Sequence, residues 1–71
     1  MEIRQLRYFL AVAREANITR TAESLHISQP SLSKQLMELE RKAGRPLLIR
    51  GKRKIALTEA GVLLRRRAEE I

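Results

Sequence analysis

The stretch "HISQPSLSKQL" (residues 26–36) combines a helix start with an unusual set of polar side chains. Ser28 is a favourable N-cap, and Pro30 is tolerated in the first turn because its missing N–H has no intrahelical partner there. The polar residues that follow carry amides, hydroxyls and one ammonium, and the helix has no carboxylate before Glu38. A solvated helix face usually mixes acids with bases, so this helix start is suited to an anionic partner.

Composition limits the class of protein. The 71 residues are enough for one small domain, and 44% of them are hydrophobic, which is too many for a disordered basic tail. Fifteen Lys and Arg against eight Asp and Glu give a formal net charge of +7, which favours nucleic acid over membrane as the partner.

There is no Cys, hence neither a disulfide framework nor a thiolate metal site. The longest apolar run (8–13) is too short for a membrane span, so we expect a soluble cytoplasmic protein.

The aromatic content separates the kinds of nucleic acid. The only aromatic residues are Tyr8 and Phe9, and we expect Phe9 in the core. Proteins that bind single strands usually stack bases on several aromatic side chains. Duplex DNA is therefore favoured over single-stranded RNA.

Apolar spacing predicts a first helix over about residues 4–16 and a short second helix over 20–26, with Asn17 and Thr19 as the residues that end one and cap the other. The apolar stripe of the first helix is expected to comprise Leu6, Phe9, Leu10, Ala13 and Ala16. In the second helix, Ala22 and Leu25 are expected to face inward.

A three-residue turn (26–28) leads to a third helix over about 29–43, which Gly44 and the following Arg-Pro pair end. Its inward positions are Leu32, Leu36, Leu39 and Ala43. Two helices joined in this way form a helix-turn-helix, although an αα-corner in an enzyme would show much of the same pattern.

Beyond the third helix, the short runs 47–50 and 54–57 predict a hairpin that turns at Gly51. Thr58 is expected to cap a last helix, with Glu59 in its first turn. The apolar side of that helix comprises Ala60, Leu63, Leu64, Ala68 and Ile71. No stop signal follows, so we expect the sequence to be a piece cut within a helix that pairs with a second copy.

The outward side of the third helix is the first candidate binding surface. It carries Pro30, Lys34, Met37 and Arg41, with Gln29 and Ser33 on its flank. Amide, hydroxyl and ammonium groups can donate to base edges and phosphates, and the helix N-terminus adds its own positive end. We therefore expect this helix to enter the major groove N-terminus first and the reading surface to stop before Glu38. Met37 is expected to be packing or groove-edge surface rather than a base reader.

The hairpin is the second candidate surface. Seven basic residues and no acid lie between Glu40 and Glu59, and four of the seven crowd positions 50–54. Such a run is usually a solvated face, but repulsion within so short a turn favours a polyanionic partner.

The remaining polar residues favour structural interpretations. His26 is the only histidine, and one ligand does not make a metal site. In "RRR" (65–67), the spacing predicts Arg65–Glu69 and Arg66–Glu70 ion pairs rather than DNA contacts. No catalytic triad, carboxylate pair or phosphate-loop pattern is present, so we expect no enzyme.

Three segments carry a family resemblance: "LRYFLAVA" (6–13), "TRTAESLHISQPSLSKQLMELE" (19–40) and "PLLIRGKRKIALTEAG" (46–61). Together they resemble the N-terminal DNA-binding domain of LysR-type transcriptional regulators. The resemblance implies a mainly α fold over residues 1–58: a winged helix-turn-helix with a three-helix core and a two-stranded wing. The helix-turn-helix would span about 18–37 and the wing about 46–57. Residues 59–71 would begin a linker helix for dimerisation. The effector-binding domain would be absent, and with it any small-molecule ligand, so no cofactor is expected in this piece.

The resemblance also implies site residues. Gln29, Pro30, Ser33 and Lys34 match the family's recognition-helix contacts, and Ser31 lies among them. Arg53 matches the wing arginine that enters the minor groove, with Arg50 and Lys52 beside it, while Thr19 and Arg20 suit backbone phosphates. Many family members carry Arg at position 34, and Lys lacks the bidentate fork, so a guanine preference there would be softer. Ile18 and Leu48 stand where Phe is common and should be core.

We therefore expect sequence-specific binding of double-stranded DNA for transcription regulation in a bacterium, by a homodimer on an inverted repeat. Contacts with RNA polymerase would belong to the full-length protein.

Two alternatives remain at this point. One is a protein-interaction module for an acidic partner, which would not require the donor row 29–34. The other is a non-specific architectural DNA binder, a class that usually inserts apolar wedges.

Overall fold

A computed structural model describes residues 2–51 and 54–70. Within these residues the chain forms four helices and one antiparallel strand pair, in the order α1 (Ile3–Glu15), α2 (Ile18–Leu25), α3 (Gln29–Ala43), β1 (Leu48–Arg50), β2 (Ile55–Leu57) and α4 (Glu59–Glu69). The expected winged helix-turn-helix, with three core helices, a two-stranded wing and a further helix, is confirmed. In this part of the chain no helix is both long and apolar enough to cross a membrane.

The core lies where α1, α2 and α3 meet. Phe9 and Val12 of α1 are completely buried, and the α3 side chains Leu32, Leu36 and Leu39 are at most 1% exposed. Ala22 of α2 belongs to the same cluster. These contacts confirm the inward face expected for α3 and the small residue expected on α2.

The buried face of α1 differs from the expected stripe. Leu6, Leu10 and Ala13 are only half-buried, whereas Gln5 is buried between the helices. The Gln5 amide nitrogen donates to Gln35 Oε1 and to Glu38 Oε2, each at 3.2 Å. Hydrophobic periodicity misplaced this face because it gives a polar residue such as Gln5 no place in an apolar stripe, whereas hydrogen bonds to α3 allow the amide to be buried.

Helix α2 begins two residues earlier than expected. Asn17, in extended conformation, caps it by accepting from the Arg20 N–H at 2.8 Å. Thr19 therefore lies inside the first turn and is not a cap. Ile18 is half-buried and packs against the core.

Helix α3 has the bounds that the sequence predicts. Ser28 Oγ accepts from the Ser31 N–H at 3.2 Å, which confirms the cap. Gly44 ends the helix at φ 75°, in the left-handed region that favours glycine.

The wing and α4 are joined to each other at the base of the hairpin. Leu48 pairs with Leu57 and Arg50 with Ile55, and Leu48 is buried as expected. The Thr58 hydroxyl accepts from the Gly61 N–H at 3.0 Å and donates to the Pro46 carbonyl at 2.8 Å. One side chain therefore caps α4 and fixes the segment that enters the wing.

The apolar side of α4 is divided between the core and the surface. Ala60 and Leu64 pack against the core, whereas Leu63 is 53% exposed. Among the described residues, the ion pair on this helix joins Arg67 to Glu70 at 3.8 Å, so the expected pairs of Arg65 and Arg66 are wrong. Both partners are largely exposed, and such a pair contributes little to stability.

Gly61 has no room for a side chain. A Cβ at this position would overlap the Leu47 carbonyl oxygen and approach Leu57 Cβ to 3.3 Å. Because both neighbours belong to the base of the wing, glycine sets how closely α4 approaches the hairpin.

Gly61→Ala is expected to destabilise the protein by about 1–3 kcal/mol, because overlap with a backbone carbonyl outweighs the higher helix propensity of alanine. Urea denaturation measures the change, with Arg66→Ala on the exposed side of α4 as the matched control. A Gly61→Ala variant as stable as the control would contradict close packing at this point.

Candidate nucleic-acid interface

The turn between α2 and α3 fixes the angle at which α3 projects. His26 adopts φ 58°, and the Ile27 N–H reaches back to the Ala22 carbonyl at 3.0 Å. This i→i−5 bond is typical of the Schellman motif, which ends a helix and turns the chain sharply. The three residues expected to form the turn, 26–28, do so.

The first turns of α2 and α3 are brought together by a hydrogen bond. The Gln29 amide nitrogen donates to Thr19 Oγ1 at 2.9 Å, and both side chains are exposed. Arg20, next to Thr19, is also exposed. The structure therefore places these three sequence-predicted site residues on one continuous surface.

The outer face of α3 continues that surface. Pro30, Lys34, Met37 and Arg41 are exposed, and Ser33 is half-buried beside them. With Glu38, these residues line a shallow groove along the helix. The face is therefore available to a large partner and offers amide, hydroxyl and ammonium donors over its first two turns.

Ser31 has a more local role than its neighbours. Its hydroxyl accepts from Ser28 Oγ at 2.9 Å, and its backbone N–H is the one that Ser28 caps. The side chain is exposed but already engaged in holding the helix start.

The wing lies beside the start of α2. The Ile55 N–H donates to the Ala16 carbonyl at 3.0 Å, which fastens β2 to the α1–α2 connection. A cleft between the two is lined by residues that include Asn17, Thr19 and Lys54. Arg50 is exposed at the end of β1, whereas Lys52 and Arg53, both predicted from the sequence to contact DNA, lie outside the described residues.

Two carboxylates of α3 are held by the protein itself. Glu38 is half-buried, and its Oε2 accepts from Gln5 as described above. Glu40 Oε2 accepts from the backbone N–H groups of Leu47 and Leu48, at 2.7 and 3.1 Å. Sequence reasoning missed both Gln5 and Glu40, since neither spacing nor composition distinguishes these side chains from solvated polar residues.

The isolated histidine keeps its structural role. His26 is exposed at the end of α2, where its backbone forms the turn. Within residues 2–51 and 54–70, no group of three or more His, Cys, Asp or Glu side chains is placed to hold a metal ion.

The family model described as "Bacterial regulatory helix-turn-helix protein, lysR family" matches residues 3–62. The chain belongs to this family. Fold, surface and family together define its class: the winged helix-turn-helix DNA-binding domain of bacterial regulatory proteins.

Individual relatives agree with this class. The chain is 64% identical over 61 residues to the Hca operon transcriptional activator HcaR of Escherichia coli (strain K12), and the match covers 86% of the chain and 21% of HcaR. It is 52% identical over 71 residues to the probable cat1 operon transcriptional activator of Acinetobacter lwoffii, with 100% and 23% covered. The chain thus spans about a fifth of the length of these relatives.

Solved structures include similar domains bound to DNA. The CbnR DNA-binding domain in its DNA complex is 44% identical, with a TM-score of 0.93 over 99% of this chain and 80% of that one. The BenM DNA-binding domain bound to benA site 1 DNA is 43% identical, with a TM-score of 0.92 over 99% and 81% of the two chains.

The Glu40 carboxylate provides a test of how the wing is fixed. Glu40→Ala removes the acceptor of two backbone N–H groups and is expected to cost about 1.5–3 kcal/mol of unfolding free energy. Glu40→Gln, which keeps one acceptor oxygen, should lose less. Urea denaturation with exposed Glu23→Ala as the control measures this, and equal stability of Glu40→Ala and the control would contradict the assignment.

Proposed function

We propose that two copies of this chain bind an inverted-repeat operator, each with the first half of α3 in the major groove and the wing in the adjacent minor groove. The observation that carries this proposal is the exposed face that begins at the Thr19–Gln29 hydrogen bond and continues, free of acids, over the first two turns of α3. We assign Gln29, Pro30, Ser33 and Lys34 to base contacts. Ser31 lies among these contacts and supports the helix start.

Amide and ammonium groups at these positions suit the edges of base pairs. A Gln amide can both donate and accept, as adenine N6 and N7 require, and a Lys can donate to guanine O6 and N7. Thr19 and Arg20 stand at the edge of the same face, where phosphates flank the groove, and we assign them to the DNA backbone. Positive charge at the α3 N-terminus adds to this attraction.

The wing is proposed to neutralise phosphates and to enter the minor groove. Arg50 and Lys54 are exposed on either side of the hairpin turn, and the sequence places Lys52 and Arg53 between them. Four cations so close together repel one another in the free protein, and a DNA backbone removes that cost by releasing counterions. The family resemblance supports Arg53 as the residue that enters the groove.

The dimer contact is proposed to lie on α4, within residues 59–71, apart from the DNA-binding unit 1–58. Val62 is 37% exposed and Leu63 is 53% exposed on this helix. A groove of about 420 Å³ lies beside these side chains, lined by Leu63 and Leu64 and by Ala43, Leu47, Ala60 and the two cations Arg45 and Arg67. A second α4 would cover these side chains.

The intact regulator is proposed to be several times longer than this chain, in line with the share of HcaR that the match covers. An effector-binding domain for a small molecule and any contact with RNA polymerase belong to that intact protein. The relatives are transcriptional regulators, and we propose no catalytic step for this domain.

Base-reading and phosphate-binding residues should respond differently to substitution. Gln29→Ala or Lys34→Ala should change the preference at particular base pairs by roughly 1–3 kcal/mol. Arg50→Ala should instead weaken binding to all sequences alike and reduce the slope of log K against log salt by about 0.9 for one lost phosphate contact. Fluorescence anisotropy with a set of single-base-pair variants of one duplex, repeated over a salt series, measures both.

The contrast between these variants is the test. If Gln29→Ala and Lys34→Ala weakened binding uniformly on every duplex, these residues would hold phosphates only and the assignment to base contacts would be wrong. An unchanged salt slope for Arg50→Ala would exclude Arg50 from the phosphate contacts.

Pairing through α4 predicts a concentration-dependent mass. The wild-type protein should sediment as a dimer at high concentration, and Leu63→Arg should raise the dimer dissociation constant by on the order of 10-fold or more, because an apolar contact is replaced by a buried charge. Arg65→Ala, an exposed change on the same helix, is the control. A wild-type monomer at the highest concentration reached in sedimentation would contradict pairing by this segment.

A further inference from the structure

We propose that Met37 is a specificity-determining residue that contacts the C5-methyl group of a thymine in the major groove, one helical turn beyond Lys34. This inference rests on the proposed placement of α3 in the major groove. It keeps the limit before Glu38 but changes the role of Met37, which the sequence alone suggests to be packing or groove-edge surface.

The position of Met37 on the helix supports a role in reading. Met37 follows Pro30 by seven residues and Ser33 by four, so the three side chains share one face of α3. All three line the same shallow groove. Met37 lies three positions after Lys34, an advance of about 4.5 Å along the helix axis, compared with about 3.4 Å between successive base pairs.

The exposure of Met37 rules out a packing role within this domain. Its side chain is 61% exposed, whereas the inward leucines of the same helix are buried. A long thioether side chain is exposed to water on a face that is otherwise rich in hydrogen-bond donors. Covering this side chain with an apolar group lowers the free energy, because apolar surface is removed from water. In the major groove the apolar group that distinguishes one base from the others is the thymine methyl.

The carboxylate of the adjacent acid is held toward α1. Glu38 keeps its negative charge, but its Oε2 accepts from the Gln5 amide nitrogen of α1 at 3.2 Å. Gln5 is itself only 1% exposed. The Gln5–Glu38 contact therefore draws the carboxylate toward α1, whereas Met37 stays exposed.

Replacement of thymine by deoxyuridine tests the contact, because it removes only the methyl group. A duplex selected by the wild-type protein is made with each thymine replaced in turn, and affinities are measured for wild type, Met37→Ala and Met37→Leu. We expect one thymine per half-site whose replacement weakens wild-type binding about three- to fivefold, the value of one buried methyl group. Met37→Ala should abolish that sensitivity and Met37→Leu should retain part of it.

Ile3→Ala is the matched control, since Ile3 is 73% exposed but lies on α1 and outside the α3 groove. This variant should keep the full deoxyuridine sensitivity. If wild type selects a preferred duplex yet no replacement weakens its binding, or if Met37→Ala remains as sensitive as wild type, the methyl contact is wrong while the proposed function stands. If wild type prefers no duplex at all, the proposed function fails and the methyl contact with it.

Discussion

The packing of Leu32, Leu36 and Leu39 against Phe9 and Val12 is the contact on which the rest of the domain depends. These side chains are almost fully buried, so α3 can adopt only one rotation about its own axis. With this rotation, one face of α3 is exposed to solvent, and it carries Pro30, Lys34, Met37 and Arg41. The proposed DNA-reading surface is thus a consequence of the core, since any slip of α3 would expose leucine and bury lysine.

The same helix shows how a basic binding face tolerates acids. Glu38 and Glu40 both lie on α3, and each carboxylate is bonded to another part of the domain. Glu40 fixes the start of β1, and Glu38 joins Gln5 across the α1–α3 contact. Negative charge is thereby used for support, and the leading half of the helix stays free of it. The wing is fastened through Glu40 and through the Ile55–Ala16 hydrogen bond, which keeps Lys54 beside the start of α2.

Much of this arrangement could be predicted from the sequence because local signals agreed with the fold. The Ser28 cap, the Gly44 terminus and the leucine spacing gave the bounds of α3, and Thr58 gave the start of α4. The buried Gln5 could not be predicted, because its burial depends on partners 30 and 33 residues away. The α2 start was misplaced because two residues only two positions apart, Asn17 and Thr19, both suit a cap. Exposure of Met37 follows from the outward position that periodicity gives it, whereas the hydrogen bonds of Glu40 depend on tertiary packing that periodicity alone does not contain.

The central claim is that α3, presented twice by a dimer, reads a two-fold symmetric duplex. Selection of bound duplexes from a random-sequence pool tests it most directly, because no operator needs to be assumed. The account predicts enriched duplexes that share two half-sites related by inversion and spaced for two recognition helices on one side of the DNA. Enrichment of duplexes with no shared sequence, or of a single asymmetric site, would contradict it.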